Sequence, residues 1–501
     1  MNHDQIPWRH RLTRAAPYLL LLVGAYLLYA QSFGHQWTMD DHVVVTGNAD
    51  IRSLKGLLAD SYPGRPLREI TYLLDYQLFG GQPAGYHLQN IFWHGLNACL
   101  LAMLARALGL AQPLAWLAGL LFLVHPLNVE VVANISHRKE SLMLAFVLVA
   151  LLAFLKSYQG ERRWPWLGAS AVALFVAWQA KQTAVGLMPV MLGYDLWIAP
   201  PERRLVFRRP WVVWAVAAAA LAGVCAWYLI AWNTPSFQEA LQSCLIKMNV
   251  YSGQSGALFL LFALKALAFM WLRLLWPLEL AMEYVFPAPG GWSDPWVLAS
   301  LLLVAAFGVA AWMGRRQAPL LIGLLMMAGF WLPVSNLFWP ISYFAADRYM
   351  YAVSAGFVLI VIWAGEWLLG NLPKVLWGSL LAVCVILAVL AWRQDRVWAT
   401  EQALYQQALV VSPTSTTALL GLGAAYLNQG NLPEAQAVLE KGAMNFNDSK
   451  ALYLLAITYE RQGNQQGAIS YYRRFVQMNE PRYAQEVANA RRQLLRYGVV
   501  M

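Results

Sequence analysis

Runs of apolar residues separated by short polar connectors repeat from about residue 15 to residue 392, and there the pattern stops. The apolar cores lie near 15–33, 86–106, 113–127, 141–157, 164–180, 183–199, 211–232, 255–276, 295–313, 319–333, 351–369 and 373–392. A helix needs about 17–25 mostly apolar residues to cross a bilayer, so this spacing predicts an all-α, polytopic membrane region of about 11–12 helices over residues 1–392. One connector is long: residues 34–85 are polar, with turn signals at TGN (46–48), PG (63–64) and GGQP (80–83). From Arg393 onward the chain becomes polar and rich in Ala and Gln, which predicts a separate soluble domain over 393–501.

Charge orients these elements. Basic residues gather beside the apolar cores as RHRLTR (9–14), ERR (161–163), ERRLVFRR (202–209) and GRR (314–316). That is the positive-inside pattern; it puts the N-terminal basic run in the cytoplasm and the 34–85 connector outside. Counting every core as a full crossing leaves GRRQ (314–317) outside, against the rule. One re-entrant or interfacial run within 211–276 returns it to the cytoplasm. The chain after Trp392 then exits on the face that holds residues 34–85. The first core follows basic residues as a signal peptide would, but Leu28 is a poor −3 residue for cleavage after Ala30, so an uncleaved helix is expected.

The polar C-terminal region repeats itself. GLGAAYLNQGNLPEAQAVLEKG (421–442) aligns with LAITYERQGNQQGAISYYRRF (455–475), so that Gly423/Ala456, Tyr426/Tyr459, Gly430/Gly463 and Ala435/Ala468 lie 33 residues apart. Small residues at a helix contact, an aromatic knob and a turn glycine are what a tetratricopeptide helix pair requires. EQALYQQALVVSP (401–413) resembles the second helix of a preceding unit. The expectation is a short α-solenoid of three units, enough to bury a continuous face.

Composition sharpens the membrane reading: 59% of residues are hydrophobic and 12% charged, against about 25% charged in soluble domains. The net charge of +10 raises nucleic acid as a partner, but the basic runs hug apolar cores, so no nucleic acid is expected. Cys99, Cys225, Cys244 and Cys384 are scattered without CxxC spacing, which suggests neither a zinc site nor a disulfide framework. With no metal-ligand motif and no nucleotide-binding glycine loop, no metal and no cofactor are expected.

Polar side chains are costly beside a bilayer, so their clusters are informative. Four fall on the assigned outer face. The first is Asp40, Asp41 and His42. The second spans RPLREITYLLDY (65–76) and GYHLQNIFWH (85–94), where His87, Asn90 and His94 share one helical face. The third is HPLNVEVVANISHRKE (125–140), with His125, Glu130, His137, Arg138 and Lys139. The fourth is NLFWPISYFAADRYMY (336–351), with Asp347 and Arg348; Lys181 adds a cation at another outer helix end. Carboxylates among cations suit transfer from a lipid-linked phosphosugar. A carboxylate takes the acceptor hydroxyl's proton, and cations stabilise charge growing on the phosphate. The substrate pocket is expected to include His42, His87, Asn90, His94, His125 and Glu130. Simpler roles stay open: a helix cap for Asp40 and Asp41, hydrogen bonding within the protein for the histidines, lipid-headgroup anchoring for Arg138 and Lys139, and an ion pair for Asp347 and Arg348.

The ordered stretches WTMDDHVVVTGN (37–48), GRPLREITYLLDYQLFGGQPAGYHLQNIFWH (64–94), HPLNVEVVANISHRKESL (125–142), AKQTAVGLMPVMLGYDL (180–196) and SNLFWPISYFAADRYMYAVSAG (335–356), followed by the repeats, resemble the transmembrane-and-tetratricopeptide-repeat O-mannosyltransferase family and its bacterial relatives. The resemblance implies a C-type glycosyltransferase fold, a polyprenyl- or dolichyl-phosphate sugar donor and a hydroxyl acceptor, on protein or another glycan, outside the cytoplasm. It implies that the acidic pair, Asp40 and Asp41, supplies the catalytic base, with Asp40 preferred. It also implies that Arg65, Arg138 and Arg348, together with Lys181, hold the donor phosphate. His137, Gln182 and Asp347 stand where the family often has Gly, Glu and Glu. A bacterial inner-membrane location, with the acidic pair and the repeats both periplasmic, follows as an expectation. Two other readings stay open: a transferase acting on lipopolysaccharide, and a membrane scaffold that recruits partners through its repeats.

Overall fold

A computed structural model describes residues 7–59, 65–205, 234–250, 256–446, 448–478 and 483–499, with single positions 230 and 480. Among the described residues the secondary structure is helical throughout, with no strand. Every apolar core coincides with helical structure except 211–232, which lies outside the described residues apart from position 230, as do Cys225 and the PG turn at 63–64. The re-entrant run inferred from charge within 211–276 falls in part on residues outside the described ones, and in its described part Gly256–Leu275 is one unbroken helix.

The chain divides into two compact units. The first comprises Met1–Cys244, Gln254–Leu280 and Ala288–Ala399; the second comprises Leu245–Gly253, Ala281–Pro287 and Thr400–Met501.

In the first unit several helices open with proline in the first turn: Pro66–Phe79, Pro83–Ala107, Gln112–Val124, Pro295–Met313, Ala318–Trp331 and Pro373–Val397. Proline lacks an N–H that this position could not have used and already holds a helical φ, so it marks these starts. Among the described residues, four helices are long and apolar enough to cross a membrane, Gly256–Leu275, Pro295–Met313, Asp347–Leu369 and Pro373–Val397. A fifth follows if the pair Gln112–Val124 and Pro126–Ala133, bent by 56°, counts as one broken span. Pro295–Met313 turns Leu302, Val304, Val309 and Trp312 outward, an apolar surface that suits lipid and not water. Pro83–Ala107 is as long, but it buries His87, Asn90, His94 and Asn97 against its neighbours.

The 183–199 core is not one helix: it breaks into Gln182–Gly186, Leu187–Gly193 and Tyr194–Ile198. Its glycines explain the close packing there. A Cβ on Gly186 would sit 2.5 Å from the carbonyl oxygen of Gly329. Gly323 and Gly356 meet the same way, a Cβ on each falling 2.7 and 2.5 Å from the other's carbonyl oxygen. Such contacts let helices approach where lipid supplies no hydrophobic drive. The 34–85 connector carries the helices Leu54–Ala59 and Pro66–Phe79.

The second unit contains the helices Glu401–Val411, Thr416–Gln429, Leu432–Phe446, Ser449–Arg461, Gln465–Met478 and Ala484–Arg496. Thr400, Ser415 and Asp448 cap three of them, accepting from the N–H of Ala403, Ala418 and Ala451. Gly430 and Gly463 take φ of 81° and 77°, the left-handed turn expected at the repeat positions. Ala435, Ala456 and Ala468 are fully buried, and Gly423 faces Leu439 too closely to carry a side chain. Nothing in the apolar pattern marks Ala281–Pro287 as part of this unit, which it joins. There the Val285 N–H donates to Ser412 Oγ (3.1 Å) and Ser415 Oγ donates to buried Glu283.

Candidate active site

The acidic pair sits in a tight turn after the first helix. Met39 has φ of 50°, a left-handed conformation that a residue with a Cβ adopts at a cost, and such strain gathers at functional sites. The turn is closed by Asp41 N–H donating to Thr38 O (3.1 Å) and Thr38 N–H donating to Asp41 Oδ2 (3.2 Å). The other Asp41 oxygen accepts from the Ser136 N–H at 2.7 Å. Asp41 thus ties the 34–85 connector to the loop Asn134–His137, and it is completely buried, whereas Asp40 is exposed. Burial pushes the Asp41 carboxyl up to about 7, against the pull of its backbone donors. His42, beside Asp40, is exposed too.

The tie brings Asp40 close enough to His137 for its charge to act on the imidazole. His137 Nε2 lies 3.1 Å from Glu130 Oε1, and the same oxygen accepts from Arg348 Nη1 at 2.7 Å. Glu130 Oε2 accepts from the Arg348 backbone N–H at 2.8 Å. Burial, with the nearby charges of Lys139 and Arg348, holds His137 well below the usual histidine range, so its neutral ring donates to Glu130. Lys181 Nζ donates to Glu140 Oε1 at 2.5 Å. Arg65, half-buried at the start of Pro66–Phe79, acts electrostatically on both Lys181 and Lys139. Asp40, Glu130, Arg348, Lys181 and Arg65 therefore belong to one charged neighbourhood built from the 34–85 connector, the segment 129–140 and two other helix ends.

Other expected site residues lie elsewhere. Arg138 is fully buried, donating to Asn90 Oδ1 (2.7 Å), Thr71 Oγ1 (3.2 Å), Asp75 Oδ2 (2.5 Å) and Tyr86 O (2.9 Å). Its guanidinium lies over the Tyr72 ring at 4.8 Å. Four of its five N–H groups are thus donated within the protein. Asn90 spends its amide nitrogen on the Val132 and Asn134 carbonyls. His94 bridges Tyr351 Oη (2.9 Å) and Leu123 O (3.0 Å). His125 bonds Leu274 O and accepts from the Leu127 N–H. His87 is buried edge-on to His35, with neither ring nitrogen bonded among the described residues. Arg138, Asn90, His94 and His125 are thus bonded within the protein, and His87 is buried beside His35. A period that places polar groups on one helical face does not say whether that face meets solvent or another helix.

With this geometry in hand, comparison with known proteins is informative. The family profile described as Dolichyl-phosphate-mannose-protein mannosyltransferase matches residues 70–230, and profiles described as Tetratricopeptide repeat match 402–458 and 450–478. The chain resembles protein O-mannosyltransferases. Protein O-mannosyl-transferase Tmtc3 of Drosophila melanogaster is 25% identical, over 83% of this chain and 54% of that protein. Protein O-mannosyl-transferase TMTC4 of Mus musculus is 23% identical, over 82% and 64%, and F38B6.6 of Caenorhabditis elegans is 24% identical, over 86% and 63%. The chain thus spans between about half and two thirds of these relatives' lengths. No solved structure matches it. By these matches the chain is similar to glycosyltransferases described as protein O-mannosyl-transferases, and its apolar helices suit a multi-pass membrane protein.

Against this O-mannosyltransferase resemblance, sequence reasoning overlooked Asp75, which compensates Arg138, and Asn134 and Ser136, which meet the Thr38–Asp41 turn. Asp75 stands in a run already marked as polar. Its pairing partner lies 63 residues away and leaves no local signal.

Proposed function

We propose that the chain is an integral-membrane, inverting glycosyltransferase that moves a sugar from a polyprenyl-phosphate donor to a hydroxyl on protein at the extracytoplasmic face. Asp40 takes the proton from the acceptor hydroxyl as that oxygen bonds to the anomeric carbon. The bond from that carbon to the phosphate oxygen breaks, and the lipid phosphate departs with the electron pair. A single base with a good leaving group suits one direct displacement, which inverts the anomeric centre. Arg348, Lys181 and Arg65 are placed to meet the anionic phosphate, where positioned cations lower the barrier most. Arg348 is fixed for this by Glu130.

The observation that carries the reading is the division of labour in the acidic pair. Asp41 is buried and engaged with backbone N–H groups, while Asp40 is open to a reacting hydroxyl in the same charged neighbourhood. The repeats favour a protein acceptor, since tetratricopeptide stacks present concave peptide-binding faces. We place the protein in a bacterial inner membrane, with the Asp40 loop and the repeats both periplasmic. Mass spectrometry of outer-face glycoconjugates, with and without the protein, tests the reaction. Loss of a protein-linked hexose supports it; a change confined to lipopolysaccharide moves the acceptor, and no change in either sinks the reading. A reporter fused at the C-terminus tests the topology, and a cytoplasmic signal would overturn it.

A further inference from the structure

Lys139 differs from the cations around it. Arg138 is paired with Asp75, Lys181 with Glu140, Arg348 with Glu130 and Arg68 with Glu69. Lys139 is half-buried and, among the described residues, makes no hydrogen bond or ion pair; its ammonium is not sealed from solvent. The charges of Arg65, Arg68 and Lys181 act on it, and its own charge acts on Glu130 and His137. Its charge is therefore within electrostatic reach of the His137–Glu130 pair and of Arg65 and Lys181.

Its position in the backbone adds to the cost. Lys139 is the second residue of the helix Arg138–Lys156, whose N-terminus carries the positive end of the helix dipole. A lysine there is repelled by the dipole and by three neighbouring cations, and Glu140, the nearest anion, is engaged by Lys181. Such a charge is stabilised once an anion arrives. We propose that Lys139 binds the phosphate of the lipid-linked donor and neutralises the charge that forms on it as the sugar leaves. This rests on the glycosyltransferase reading. It takes the place that the buried Arg138 does not fill.

The test uses the full chain in nanodiscs, with polyprenyl-phosphate mannose as donor and polyprenyl phosphate as binding probe. Lys139→Met is expected to lower kcat by roughly 100-fold or more and to weaken polyprenyl phosphate binding at least tenfold. Lys139→Arg should restore most of the binding. The melting temperature of Lys139→Met should stay level or rise, because a repelled charge is removed; a structural lysine would lower it. Transfer and binding by Lys139→Met at wild-type levels, or a fall in melting temperature that accounts for the loss, would overturn the proposal while leaving the reaction intact. Binding that depends on Lys139 without any sugar transfer by the wild type would instead sink the reaction and leave the phosphate site standing.

Discussion

Two polar clusters of the membrane unit look alike in sequence and behave oppositely in the fold. One, Asp40, His42, Glu130, Lys139, Lys181 and Arg348, gathers at loop and helix ends and keeps exposed groups. The other, Asp75, His87, Asn90, His94 and Arg138, lies between helices with every member buried. Both are rich in charge and imidazole, and both stood in stretches that resemble the same enzyme family. The difference teaches that, His87 apart, these buried polar groups are committed to partners that offset their desolvation. Only a group with spare bonding capacity can serve a substrate.

The contrast can be broken most forcefully at Asp40. Asp40→Asn should cut sugar transfer by about 10²–10⁴-fold, the usual contribution of a general base, with no loss of thermal stability in detergent. A variant that transfers at the normal rate would move the base elsewhere. In the buried cluster the sign reverses. Arg138→Met strands Asp75 without its counter-charge and should cost about 3–5 kcal/mol of stability, read as a lowered melting temperature and poor yield.

The pair Asp40 and Asp41 sharpens the comparison within two adjacent residues. Asp41, with its carboxyl raised to about 7 by burial, favours the folded state when protonated. Its contribution is full below the unfolded carboxyl value and is lost as pH rises through about 7. Relative to wild type, Asp41→Asn should therefore gain stability as pH rises from 4 to 7, by up to about 1.4 kcal/mol per pH unit. A difference that stays flat with pH would show that Asp41 is ionised throughout. The smallest contrast compares two histidines. His94→Ala leaves buried partners unsatisfied and should cost about 1–3 kcal/mol, whereas exposed His42→Ala should stay within about 0.5 kcal/mol; both are measured by thermal unfolding.

Much of the fold was legible because its signals are local. Apolar runs, first-turn prolines and the 33-residue spacing of Gly430 and Gly463 each need only a few neighbouring residues to act. The acidic pair also stood out, as two adjacent carboxylates at the exit of an apolar helix. What could not be read was each side chain's destination. The histidines of Pro83–Ala107 share a face in sequence, but which helix covers that face depends on Tyr351, more than 250 residues away.

The sequence by itself determined the helices, the repeat architecture, the position of the acidic turn and the family resemblance, all carried by periodicity and composition. Only the tertiary structure decided that Asp41 is a tie and Asp40 is open, that Arg138 is spent on Asp75, and that Lys139 has no partner among the described residues. The reason is physical: local propensity needs near neighbours, whereas burial and charge compensation depend on contacts that distant segments complete when they pack.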